Sequence, residues 1–149
     1  MRRKTLVQDA REAMEACAGA NARMAARRIT QFLDAHMQGA GMSLAKFSLM
    51  SQIAAAHDDT LGALADRSGL EQSTLSRNLQ VLERDGLVEL TAVEGDLRRR
   101  AVWLTEAGAR KLEAAIPVWR AAHAALAETV DPGLARRLAG QARKLKDAD

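Results

Sequence analysis

Residues 60–108 decide the fold of this chain: they read TLGALADRSGLEQSTLSRNLQVLERDGLVELTAVEGDLRRRAVWLTEAG. Asp59 and Thr60 precede apolar residues at helical spacing and can cap a short helix, and Gly69 provides its end. A second apolar-periodic segment follows this glycine turn. Alternating residues on either side of Glu94-Gly95-Asp96 then predict a two-stranded hairpin with an arginine-rich tip. Helix, turn, helix and hairpin in this order predict a winged helix-turn-helix.

The second helix of this stretch has one apolar and one polar face. Leu75, Leu79 and Leu82 lie at offsets of four and three, which places them on one side. Arginine can pair bidentately with guanine, asparagine or glutamine with adenine, and small hydroxyls let the backbone approach phosphates. The other side carries all of these residue types: Gln72, Ser73, Thr74, Ser76, Arg77, Asn78 and Gln80. The pattern indicates a helix that enters a DNA major groove, and the alternative is an ordinary solvent-facing surface.

Three arginines, Arg98, Arg99 and Arg100, follow the hairpin turn. Neighbouring cations repel one another, so their placement favours a surface that meets opposite charge. A narrow DNA minor groove supplies such charge. The alternative is that one arginine pairs with Asp96 or Asp85 as a structural partner, and we expect a mixture of the two roles.

These elements resemble the MarR family of bacterial transcription regulators. The resemblance rests on LGALADRSGLEQSTLSRNLQVLERDGLV, EGDLRRR and LTEAG, and it extends more loosely to NARMAARRITQFLD near the start. It implies a mostly α (α+β) winged-helix fold with N- and C-terminal dimerisation helices. It also implies a DNA-binding regulator, expected to be a ligand-responsive repressor.

The resemblance also implies roles for individual residues. A recognition helix over about 72–84 would occupy the major groove, and a wing over about 91–101 would enter the minor groove through Arg98. The family's wing commonly reads Asp-Arg-Arg, whereas this chain has Asp96-Leu97-Arg98. Arg99 or Arg100 would therefore replace the missing arginine, and Asp96 would structure the wing. The residues expected on bases or nearby phosphates are Ser73, Thr74, Ser76, Arg77 and Asn78.

The rest of the chain is predicted to be helical. Its 149 residues suit a single domain, 1–149, with the winged helix-turn-helix over about 43–104. Dimerisation helices are expected over about 5–37 and 105–147. The first range reads as one long helix. In the second, Thr105 caps a helix to about Val130 that Pro117 should kink, and a last helix covers Leu134 to Leu145. Ser43 and Asp131-Pro132 mark two further helix starts.

Apolar stripes on these flanking helices predict a homodimer. A helix pair outside the winged core has nothing else in the chain to cover it, and a symmetric second copy closes such a surface. Two recognition helices would then meet successive major grooves, so the expected partner is double-stranded DNA carrying a palindromic operator. The alternative is that these helices pack within one monomer.

Composition excludes several other classes of protein. The formal net charge is +3, and acidic residues roughly balance the arginines of the 60–108 stretch, which favours specific positioning over general electrostatic attraction. No apolar run approaches the ~20 residues of a membrane span, and the start lacks a secretory pattern, so we expect a cytoplasmic protein. One cysteine and the scattered His36, His57 and His123 predict no disulfide framework and no metal site.

The sequence disfavours two alternatives to a DNA-binding regulator. An enzyme would need a nucleophile–base pair or a glycine-rich phosphate loop, and neither pattern is present in the sequence, so no cofactor is expected. A winged-helix interaction module without specific DNA binding would show apolar or aromatic anchors on the face from Ser73 to Asn78. That face has none.

The sequence gives the least information about the signal to which the protein responds. One branch of the resembled family senses organic hydroperoxides through a cysteine on its first helix, held reactive by tyrosines. This chain has Cys17 but no tyrosine. The favoured interpretation is therefore that Cys17 is a small buried hydrophobic residue, and the alternative is that it is a redox sensor. The resemblance places a small-molecule effector pocket between the dimer helices and the winged core. Its candidate residues, which could equally be ordinary core, are Met24, Met50, Trp119 and His123.

Overall fold

The computed structural model describes residues 2–56 and 60–146, so His57 and Asp59 lie outside the described residues. The side chains of residues 2–4, 93 and 96–99 lie outside them as well. The elements, in chain order, are α1 (Arg2–Ala16), α2 (Ala18–Met37), a 3-10 turn (Gln38–Ala40), α3 (Leu44–Ala55), α4 (Leu61–Ser68), α5 (Gln72–Arg84), β1 (Val88–Val93), β2 (Asp96–Leu104), α6 (Glu106–Ala127) and α7 (Pro132–Ala142). This mostly helical winged-helix fold confirms the predicted fold class.

Side-chain caps begin the helices where the sequence predicts. The hydroxyl oxygens of Ser43, Thr60 and Thr105 each accept a hydrogen bond from the amide three residues later, at 3.2, 3.3 and 3.0 Å. Gly69 ends α4 in the left-handed conformation, with φ of 64°. These caps satisfy amides that a helix start leaves without partners.

One apolar core joins α3, α4, α5, the hairpin and α6. The predicted stripe of Leu75, Leu79 and Leu82 is buried in it, which confirms the orientation of α5. The other fully buried large side chains are Met37, Met50, Leu64 and Val88. A smaller cluster of Leu33, Ala122 and Leu126 holds α2 against α6.

The strands β1 and β2 form an antiparallel hairpin, here called the wing. Val88 pairs with Leu104 and Leu90 with Val102, and the register becomes irregular between Ala92 and Val93. An isolated bridge between Thr60 and Ala101 adds a short third partner to the sheet. The sequence pattern did not reveal this bridge, because a single paired residue has no periodicity.

The prediction of one helix over 5–37 is wrong at Cys17. This residue has extended backbone angles (φ −65°, ψ 106°) and separates α1 from α2. Its Sγ accepts a hydrogen bond from the Ala20 amide at 3.5 Å, and Asn21 Nδ2 donates to the Glu15 carbonyl at 2.9 Å. Cys17 is exposed, so the expected buried position is also wrong. Helical spacing shows which residues share a side and does not show that the backbone is continuous.

The C-terminal helices are shorter than predicted. The helix α6 ends at Ala127 and continues through Pro117, whose ring is exposed, and α7 ends at Ala142. The side chains that follow, from Arg143 to Lys146, are exposed and have no core to hold a further turn. Within the described ranges, no helix is long and apolar enough to cross a membrane.

Candidate nucleic-acid interface

The helix α5 presents most of its predicted contact residues to solvent. Gln72, Ser73, Thr74, Ser76 and Arg77 are exposed, on the side opposite the buried leucine stripe. The burial of that stripe fixes the rotation of the helix, so this polar side faces outward. Its first turn is also open, and helix amides at such an end carry partial positive charge that attracts phosphate.

Asn78 differs from the other predicted contact residues because it is half-buried. It lines a cavity of about 140 Å³ between α3 and α5, together with Ser43, Lys46 and Leu49. A base or phosphate would reach it less easily than Arg77. Its role in contacting DNA stays a prediction.

The turn between α4 and α5 is held by Ser68. Its hydroxyl donates to the Ala65 carbonyl at 3.1 Å and accepts from the Leu70 amide at 3.3 Å. Gly69 lies between these two bonds with its positive φ. Gly69 was predicted and the role of Ser68 was not, although serine before a turn glycine is a known signal of local side-chain bonding.

The base of the wing is fixed to the start of α6. The hydroxyl of Thr105 donates to the Gly86 carbonyl at 2.7 Å, and its amide donates to the Leu87 carbonyl at 3.1 Å. Gly108 packs so closely on the Leu87 carbonyl that any Cβ would collide with that backbone atom. These contacts explain why LTEAG follows the second strand, since a larger residue at 108 would push α6 away from the wing.

A cross-strand pair stiffens the wing near its base. Trp103 Nε1 donates to Glu89 Oε2 at 3.0 Å, and these residues are direct partners in the strand register. Further out, Arg100 is exposed and pairs with Ala92. The side chains of Asp96, Arg98 and Arg99 lie outside the described part, so their predicted roles stay predictions.

Asp85 pairs with residues outside the wing. Its carboxylate lies 3.2 Å from Lys46 Nζ and 3.7 Å from Arg84 Nε. Because Arg100 is the one wing arginine whose side chain is described, the alternative in which a wing arginine pairs with Asp85 stays a prediction. The Lys46 pair connects α3 to the end of α5, and because both partners are over a third exposed, it contributes little to stability.

The four predicted effector residues occupy different environments. Met24 is exposed, whereas Met50 is fully buried in the main core. Trp119 stacks on Phe47, with ring centroids 5.8 Å apart, and its ring contacts His123 in a tilted arrangement, with centroids 4.2 Å apart. The structure brings Trp119 and His123 together, and the effector assignment stays a prediction.

A small apolar cavity lies between α2 and the end of α6, and the sequence did not predict it. Its volume is about 180 Å³, and its lining includes Ile29, Phe32, Leu126 and Val130 with Arg28 at the edge. Among the described residues, no three His, Cys, Asp or Glu side chains converge on a point that could hold a metal ion.

Comparison with known proteins gives consistent matches. A family model described as the MarR family matches residues 40–99. The transcriptional regulator HosA of Escherichia coli O111:H- is 35% identical over 94 residues, which cover 56% of this chain and 64% of that protein. The matched region thus spans somewhat less than two thirds of the length of this curated relative.

Two solved structures have the same architecture. The M. tuberculosis transcriptional regulator MosR, crystallised in complex with DNA, is 35% identical with a TM-score of 0.73, covering 87% of this chain and 99% of that one. A mutant E. coli MarR crystallised with operator DNA has a TM-score of 0.74 at 21% identity, covering 89% and 95%. At that lower identity, the second likeness concerns the fold alone.

Proposed function

The chain belongs to the MarR family of transcription regulators, and we propose that it binds a palindromic operator in double-stranded DNA as a homodimer. The main support is the orientation of α5. Burial of Leu75, Leu79 and Leu82 turns Arg77 and the small polar residues of its first two turns towards solvent. A rigid helix with this exposed face suits insertion into a major groove, where side chains read base edges.

The wing would contact the neighbouring minor groove. Its base is held by Thr105, Gly108 and the Glu89–Trp103 pair, so the strand that carries Arg98 to Arg100 projects from a fixed support. Arginines inserted into a narrow minor groove meet enhanced negative potential. The DNA complex of MosR, which is 35% identical to this chain, supports DNA binding by this fold.

The dimer would form through the terminal helices. Exposed large apolar side chains lie on three of them and just beyond the last: Leu6, Val7 and Met14 on α1, Met24 and Phe32 on α2, Leu134 and Leu138 on α7, and Leu145. Exposed large apolar side chains in this number on the terminal helices support a protein interface there. A two-fold symmetric dimer would cover these side chains and would give the operator its palindromic symmetry.

Regulation would follow from the spacing of the two recognition helices. A ligand that favours a dimer with the wrong spacing weakens operator binding by its preference between the two states. We propose ligand-released repression in the cytoplasm as the mode of action.

The decisive experiment is selection of bound sequences from a random duplex pool with the purified full chain, followed by affinity measurements at several salt concentrations. We expect a palindrome and a steep salt dependence, because each neutralised phosphate adds about 0.9 to the log–log slope. Recovery of no enriched sequence, or weak binding without sequence preference, would refute the operator proposal and favour the interaction-module alternative.

A further inference from the structure

The end of α5 and the start of α6 meet at a joint, here called the α5–α6 joint, which consists of Gly86, Leu87, Thr105 and Gly108. The amides of Gly86 and Leu87 donate to carbonyls in the last turn of α5, both at 2.9 Å. From the other side, the Thr105 hydroxyl donates to the Gly86 carbonyl at 2.7 Å and the Thr105 amide to the Leu87 carbonyl at 3.1 Å. The recognition helix and the first turn of α6 are therefore connected through two residues.

Gly108 fixes the distance across this joint. It is buried, and a Cβ at this position would overlap the Leu87 carbonyl oxygen and lie 2.9 Å from the carbonyl carbon. These backbone atoms are held by hydrogen bonds to α5 and to Thr105, so they cannot move aside as the end of a flexible side chain could. Only glycine at position 108 lets α6 approach the end of α5 this closely, and any side chain there must displace or tilt α6.

The joint lies at one end of a long lever. The helix α6 has 22 residues, so it is about 33 Å long. Towards its far end, Ala122 and Leu126 pack with Leu33 of α2, which is one of the terminal helices of the proposed dimer. A tilt of about 6° at the joint displaces the far end by about 3.4 Å, which is the rise of one DNA base pair. Small changes at the joint therefore alter the distance between two recognition helices by amounts that matter on DNA.

We propose that Gly108 and Thr105 are positioning residues that set the spacing of the two operator half-sites. Gly108 determines how closely α6 approaches the end of the recognition helix, and Thr105 holds the angle through its bonds to Gly86 and Leu87. Base preference within a half-site belongs to the exposed face of α5, so it does not depend on the joint. The role of the joint rests on the proposed function, because half-site spacing has a meaning only for a dimer on a palindrome.

Operators that differ only in spacer length test this role. The palindrome recovered with the wild-type chain is rebuilt with spacers shortened or lengthened by one or two base pairs, and the affinity for each is measured by fluorescence anisotropy. Each added base pair turns one half-site by about 34° relative to the other. The wild type should therefore lose at least one base contact on a wrong spacer and bind it about tenfold more weakly.

The variants should change this preference in different ways. Gly108→Ala should move the preferred spacer by one or two base pairs or remove the preference. Thr105→Val keeps the shape of the side chain and removes its hydroxyl, so discrimination between neighbouring spacers should fall about threefold, the effect of losing one ordinary hydrogen bond. Thr105→Ser should restore the wild-type discrimination.

The ratio of affinities between spacers separates positioning from stability. A variant that is only less stable binds every spacer more weakly by the same factor, so the preferred spacer stays the same. Gly62→Ala in α4, where an added Cβ meets no atom within 4 Å, is the control and should keep the wild-type preference. Thr105→Val leaves the glycine contact in place and decides the outcome if Gly108→Ala does not fold.

Two results would overturn the role of the joint, and they are distinguishable. If the wild type selects a palindrome and every folded variant keeps its spacer preference, the joint does not set the spacing and the proposed function stands. If the wild type selects no palindrome, the proposed function fails and the role of the joint fails with it.

Discussion

The leucines of the winged core and those of the terminal helix α7 differ in how far they are buried. Leu64 and Leu82 in the winged core are fully buried, whereas Leu134 and Leu138 in α7 are more than half exposed. The helix α1 is an extreme case, since the side chains described in it are all exposed. An isolated helix of 15 residues is marginal in water. The contrast teaches that the apolar core around the winged region closes within one chain, while α1 and α7 leave large apolar side chains exposed, which the proposed homodimer would cover.

The strongest test of this contrast is the double variant Leu134→Glu/Leu138→Glu. If these leucines are buried in a dimer, losing both removes about 1.5–3 kcal/mol of burial each, so the dimer dissociation constant should rise at least about a hundredfold. Analytical ultracentrifugation measures this change directly. The variant should also select half-sites in place of a palindrome.

Arg136→Glu is the matched control, because it introduces the same residue on the opposite side of α7. We expect this variant to remain dimeric. Unchanged association of the double variant would mean that the exposed leucines of α7 do not form the interface. The proposed difference between the winged core and the terminal helices would then not hold for the terminal helices.

Leu82→Ala tests the other half of the comparison. This fully buried residue joins α5 to the core, so its truncation should lower the free energy of unfolding by about 2–5 kcal/mol. Leu145→Ala, at a side chain that is 79% exposed, should change it by less than about 0.5 kcal/mol. Urea denaturation of both, in the Leu134→Glu/Leu138→Glu background, removes any contribution from dimerisation. Similar losses in the two variants would contradict a core confined to the winged region.

Arg77→Ala should affect DNA binding without affecting stability. An exposed arginine that reads a guanine contributes about 1–3 kcal/mol, and its loss should relax sequence preference at one operator position. Fluorescence anisotropy with operator variants measures both effects. Arg110→Ala serves as the control, because it removes an exposed positive charge that lies on α6 and is paired with Glu106, and it should have little effect. Uniform weakening across all operator variants would instead assign Arg77 to a phosphate.

Arg98→Ala tests the wing and should have a smaller effect. Its loss should weaken operator binding and reduce the salt slope by about 0.9, which corresponds to one phosphate contact, while ultracentrifugation still shows a dimer. The measurement is operator affinity across a salt series. An unchanged affinity would transfer the wing role to Arg99 or Arg100, and the same series on Arg99→Ala and Arg100→Ala identifies which one.

Sequence reasoning succeeded where local chemistry determines structure. The caps at Ser43, Thr60 and Thr105 and the glycine turn at Gly69 depend on neighbouring residues only, and all four were predictable. The break at Cys17 was not, because its apolar neighbours continue the helical period through it.

Contacts between residues that are far apart in the sequence were equally unpredictable from it. The Lys46–Asp85 pair joins residues 39 positions apart, and nothing in either segment signals the other. The contact face of α5 was predictable because three leucines fix its rotation, and the half-burial of Asn78 was not, because it depends on packing against α3.

The two regions should also differ in their response to acid. The caps of α3, α4 and α6 are uncharged hydroxyls, whereas Asp131 caps α7 with a carboxylate that accepts from the Gly133 amide at 2.8 Å. That bond, with help from Arg137, lowers the pKa of Asp131 below its ordinary value of 3.8. A depressed pKa means that the stabilisation of α7 is complete above the ordinary value and is lost as the pH falls through the lower one.

The amide resonance of Gly133 should therefore titrate with a midpoint below 3.8, and this titration should disappear in Asp131→Asn. Arg137→Gln should raise the midpoint only slightly, because the backbone bond is the larger cause. The amides of Lys46 and Gly108, bonded to hydroxyl caps, serve as internal controls and should show no such step. A midpoint at or above 3.8 would mean that the cap is not formed in solution, and α7 would then depend on its partner copy even for its first turn.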